Sequence, residues 1–104
     1  MKVTIEKSDD FVEAKFEDVK EFEEFYKLAD TICDKLKSSF VNKVDDFDSL
    51  YWEFLYSGVR FILHYNTYLG ISIYPHKSQQ VTGKEEDILR MLLSTIAVEE
   101  GGNK

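Results

Sequence analysis

One cysteine, Cys33, stands in 104 residues. The chain can form no internal disulfide, and a reducing compartment is expected. No apolar run approaches the roughly 18 residues of a membrane-spanning helix. The opening MKVTIEKSDD carries neither an apolar core of about 7 residues nor a small-residue cleavage site, so it is not expected to be a signal peptide. These absences together predict a cytoplasmic protein. The sequence also lacks GxGxxG, P-loop and GxSxG patterns. Its two histidines and single cysteine are too widely spaced for a zinc site. Asp45, Asp46 and Asp48 lie close together, but no glycine turn and distal Glu follow at calcium-loop spacing. No cofactor, no metal and no catalytic residue is expected.

A hydrophobic content of 43% fits a folded chain, and the length fits a single domain over residues 1–104. There is no repeat and no internal linker. The net charge is −7, and it is unevenly placed. Residues 1–53 hold 15 acids against 8 lysines, whereas residues 54–104 hold 5 acids against 5 bases. Such a charge repels nucleic acid and anionic membrane and attracts a basic partner. The alternative is that it serves solubility alone.

Local patterns suggest the order ββ-α-βββ-α. Val3-Thr4-Ile5 alternates, Ser8-Asp9-Asp10 is a turn cluster, and Phe11–Phe16 forms a second strand. Asp18, with Glu21 three residues on, predicts a capping box that opens a helix. Phe22, Phe25, Ala29, Ile32, Cys33, Leu36 and Phe40 form its apolar stripe, with Phe22, Phe25 and Cys33 read as core. Val41–Asp48 is expected to be a connection. Thr82-Gly83-Lys84-Glu85 predicts a second capping box. The helix after it should bury Ile88, Met91, Leu92, Thr95 and Ile96, widened by Leu89 and Leu93, and stop at Gly101-Gly102. Asn103 and Lys104 should fray.

Between the helices lie three strands. Ser57-Gly58 is a two-residue turn that sets Tyr56 opposite Val59, Phe54 opposite Phe61 and Trp52 opposite Leu63. All six side chains then share one apolar face. A three-residue loop, Asn66-Thr67-Tyr68, is expected next, because it turns Leu69, Ile71 and Ile73 to that face. Pro75 should end the sheet, since proline lacks a ladder donor. The expected fold is α+β, a two-layer domain with an antiparallel sheet of about five strands and both helices on one face. The other face would carry Tyr51, Glu53, Leu55, Arg60, Ile62, His64, Ser72 and Tyr74. Its Tyr, Arg and Ile side chains have the composition of an interface core.

Glu53, His64 and Arg60 lie close enough on that face for acid–base work, or to form a surface polar cluster. No nucleophile or metal pattern accompanies them, so the expectation is that the protein is not an enzyme. The acidic first half, the stretch VDDFDSLYWEF (Val44–Phe54) and the tyrosine-rich sheet resemble, in overall style across the whole chain, the bacterial immunity proteins that neutralise delivered toxins, including those of contact-dependent growth inhibition. The resemblance implies a cytoplasmic inhibitor that binds a basic toxin domain, a nuclease above all, and blocks its active site. The residues expected to meet that partner are Asp45, Asp46, Asp48, Tyr51, Glu53, Arg60 and His64. Neither nucleic acid nor a membrane is an expected partner. The rival expectations are a homodimeric structural or regulatory module and a small-ligand-binding domain.

Overall fold

A computed structural model of the chain describes residues 2–8, 10–17, 21–76, 83–96 and 99–100. Asp9 of the first turn, the cap residues Asp18 and Thr82, and the terminal Gly101, Gly102, Asn103 and Lys104 lie outside the described residues. In chain order the elements are β1 (Lys2–Ser8), β2 (Phe11–Phe16), α1 (Phe22–Leu36), β3 (Phe40–Asp45), β4 (Ser49–Tyr56), β5 (Val59–Asn66), β6 (Gly70–Pro75), α2 (Gly83–Thr95) and β7 (Glu99–Glu100). The strands form one sheet in the order β3-β4-β5-β6-β2-β1-β7. Strands β1 to β6 pair antiparallel, and the two-residue β7 runs parallel to β1. The fold is the expected α+β arrangement with a larger sheet.

One face of that sheet makes the core. Val3, Val12, Ala14, Phe16, Leu50, Trp52, Phe54, Phe61, Leu63, Ile71 and Ile73 cluster with Phe25, Leu28, Ala29 and Ile32 of α1 and with Ile88, Leu89, Leu92 and Leu93 of α2. Both helices therefore cover the same face. Among the described residues no helix is long and apolar enough to cross a membrane.

The β4–β5 register is the expected one, with Trp52 opposite Leu63, Phe54 opposite Phe61 and Tyr56 opposite Val59. Both turn residues have positive φ, Ser57 at 52° and Gly58 at 79°. Paired positive φ values match the right-handed twist of the strands.

Several expectations need correction. Val41–Asp48 is not a plain connection, because Phe40–Asp45 forms the edge strand β3 against β4. Phe40 accordingly leaves the helical stripe: Lys37, at φ 53°, ends α1 in the left-handed region. The β5–β6 loop does have three residues, but they are Thr67, Tyr68 and Leu69, with Asn66 opposite Gly70. The Asn66 Oδ1 accepts the N–H groups of Tyr68 (2.8 Å) and Leu69 (3.1 Å). That capture holds Leu69 in the turn, so it is exposed instead of core. The shift is by an even number of residues, so Ile71 and Ile73 still face inward.

Helix α1 begins after Glu21, which is extended and makes no side-chain cap, in place of the expected capping box. Its first-turn Phe22 is 47% exposed, although its ring meets Tyr26 and Tyr65 edge-on at 5.2 and 5.6 Å. Cys33 is half-buried. Helix α2 ends at Thr95, well before the glycines. Met91 is 55% exposed and Thr95 is exposed. The buried stripe is Ile88, Leu89, Leu92, Leu93 and Ile96.

Candidate functional site

With both helices on one side, strands β3 to β6 present their other face, among the described residues, without a helix over it. Pleating places Asn42, Glu53, Ile62 and Tyr74 in one row across the sheet, and Val44, Tyr51, His64 and Ser72 in the next. Asn42, Val44, Tyr51, Glu53, Ile62, Tyr74 and His76 line an open cleft of about 310 Å³.

Glu53 forms the polar floor. It is only 5% exposed, which is unusual for a carboxylate unless it is paired. The Arg60 Nε donates to its Oε2 at 2.6 Å. His76 Nε2 stands 3.9 Å from its Oε1, too far for a hydrogen bond. The Arg60 hydrogen bond, outweighing the opposing penalty of burial, holds the Glu53 carboxyl below its ordinary value of 4.5. Glu53 is thus an anion at neutral pH. The acid–base cluster expected from the sequence differs in one member. His64 lies opposite Tyr51, whereas Glu53 lies opposite Ile62. The imidazole that approaches Glu53 is that of His76, whose backbone N–H donates to the Arg60 carbonyl at 2.8 Å.

Aromatic rings form the walls. His64 stacks on Tyr51 with centroids 4.4 Å apart and planes 14° apart, and meets Tyr74 edge-on at 5.8 Å. Burial, then the nearby Tyr51 and Glu13, push the Tyr74 phenol up to about 12. It stays a neutral hydroxyl throughout the physiological range.

The three aspartates do not act as one group. Asp45 is the last residue of β3, and its Oδ1 accepts the Trp52 Nε1–H at 2.8 Å. That bond ties it to the edge of the core, alongside Lys43, whose Nζ lies 4.2 Å from the Trp52 ring centroid. Asp46 and Asp48 flank the β3–β4 turn, which the Asp46 N–H closes onto the Ser49 carbonyl at 2.8 Å. Asp46 Oδ1 accepts the Phe47 N–H, and Asp48 Oδ1 accepts the Ser49 hydroxyl. Between the two acids Phe47 is fully exposed. The structure therefore gathers Tyr51, Glu53, Arg60 and His64 on one face, with Asp46 and Asp48 at the turn beside it and Asp45 turned to Trp52.

Sequence reasoning missed Phe47 and His76 as site residues. A phenylalanine inside a run of acids was a usable signal, since turns favour polar residues. The position of His76 depends on the β5–β6 register and was not readable. Among the described residues no group of three or more His, Cys, Asp or Glu side chains is placed to hold a metal ion. No protein-family model, curated protein or solved structure matches this chain.

Proposed function

We propose that the chain is a non-enzymatic inhibitor of the immunity-protein kind, acting in the cytoplasm by direct binding to a basic toxin domain. The observation that carries this reading is the sheet face opposite the two helices, with its aromatic cleft beside an acidic turn tipped by Phe47. Tyrosine and Arg side chains over a partly buried surface are the material of interface hot spots. The acids around them supply long-range attraction to a positively charged partner. A nuclease domain, built to hold phosphates, carries the matching charge.

The test is to clone the genes that neighbour this one and co-express the chain with each neighbour that arrests growth. The expected result is restored growth, and a 1:1 complex of the two purified proteins in light scattering. Unprotected cells and no complex at micromolar concentrations would overturn the reading.

A further inference from the structure

We infer that the open cleft receives an arginine side chain of a protein partner, its guanidinium seated on Glu53 beside Tyr51 and Tyr74. This deepens the proposed function and rests on it for the identity of the partner.

The floor comes first. A carboxylate has about four acceptor positions, and Arg60 approaches Glu53 at Oε2. Oε1 faces His76 Nε2 at 3.9 Å, beyond hydrogen-bond distance, and is the oxygen the incoming guanidinium would meet. The Arg60 head remains partly exposed, and the incoming guanidinium would share the carboxylate with it. An anion is disfavoured here, because it would lie against the Glu53 charge. A neutral apolar group would leave the carboxylate shut away without further compensation.

The walls select among cations. Flat rings suit a flat guanidinium, which stacks on aromatic faces and is more weakly hydrated than an ammonium. Two of the rings are already fixed by His64, stacked on Tyr51 and edge-on to Tyr74, so less ordering remains when a ligand enters. Tyr74 presents a neutral hydroxyl that can accept a hydrogen bond from a guanidinium N–H. Val44 and Ile62 suit the methylene stem of the side chain. The exposed Asp46 and Asp48 and a net charge of −7 favour a cation over longer distances.

The test needs no partner. N-acetyl-arginine-amide is titrated into the labelled protein and followed by NMR, beside its neutral citrulline analogue and N-acetyl-lysine-amide. The expected result is saturable shifts centred on Tyr51, Glu53, Ile62 and Tyr74, with the lysine probe weaker and the citrulline probe silent. Glu53→Gln should bind the arginine probe about tenfold more weakly. Should that variant fail to fold, Val44→Trp serves, since Val44 is an exposed edge position where a large ring blocks the cleft without entering the core. It should abolish the shifts. Equal response to citrulline, shifts confined to residues 46–48, or full binding by Val44→Trp would each overturn the inference. A failed titration condemns this occupant alone, whereas a missing toxin complex condemns the inhibitor reading alone.

Discussion

Trp52 joins three elements, so its removal tests the fold where the fold supports the site. The indole is 8% exposed. It meets Phe25 and Tyr26 of α1 edge-on at 4.9 and 5.6 Å, meets Phe40 of β3 at 5.3 Å, and donates to Asp45. An aromatic side chain of this kind buries about 150–250 Å². At about 25 cal/mol per Å² this amounts to roughly 4–6 kcal/mol as an upper estimate. Large-to-small substitution of a buried ring costs about 3–5 kcal/mol. Trp52→Ala should therefore remove about 4 kcal/mol from a total of roughly 5–15 kcal/mol. The assay is urea unfolding followed by far-UV circular dichroism, because this substitution deletes the sole tryptophan. Trp52→Phe keeps most of the packing and loses the Nε1–H bond, at about 1 kcal/mol. Asp45→Ala should then cost less in the Trp52→Phe background than in the parent, by about 0.5–1.5 kcal/mol. A Trp52→Ala protein within about 1 kcal/mol of the parent would refute the placement of the indole. Full additivity of the other two changes would refute the hydrogen bond.

The same geometry fixes other outcomes. Leu89→Ala should cost about 2–5 kcal/mol, whereas Met91→Ala on the wet side of α2 should stay within about 0.5 kcal/mol of the parent in the same urea titration. In a spectrophotometric titration the Tyr74 phenol should ionise near 12, and Tyr74→Phe should delete that step. Glu53 has a folded-state pKa lowered below 4.5. Its ionised form thus adds stability that is fully present above 4.5 and is lost as the pH falls through the folded value. Glu53→Gln should accordingly flatten the acid limb of the stability–pH curve. An unchanged limb would mean that the Arg60 pair does not persist in solution.

Where burial is one-sided, the sequence was legible. Trp52, Phe54, Phe61 and Leu63 alternate strictly, and a two-residue turn leaves them a single register. The two helices were readable for the same reason, because each buries one stripe. Strand β3 was not, since an edge strand with only Phe40 half-buried has no apolar alternation to detect. Leu69 misled because a leucine in a turn looks like a misplaced core residue until the Asn66 side chain is seen holding that turn. On the candidate site, the facing of Tyr51, Glu53, Arg60 and His64 followed from parity alone. The approach of His76 to Glu53 did not, because it depends on where β6 ends relative to β5. The pairing of Asp45 with Trp52 was hidden for a related reason: it requires β3 to exist.

The central claim, that the open face and its acidic turn bind a basic protein domain, is tested most directly by association kinetics. The rate of complex formation with a growth-arresting domain recovered by that co-expression is measured at several ionic strengths, for the parent and for Asp46→Asn/Asp48→Asn. Steering by exposed charge predicts slower association at low salt and a flatter salt dependence in the double variant. Tyr51→Ala in the same experiment should chiefly raise the dissociation rate, as loss of a ring contact does. Association and dissociation rates equal to the parent's in both variants would contradict the account and place any interface elsewhere on the molecule.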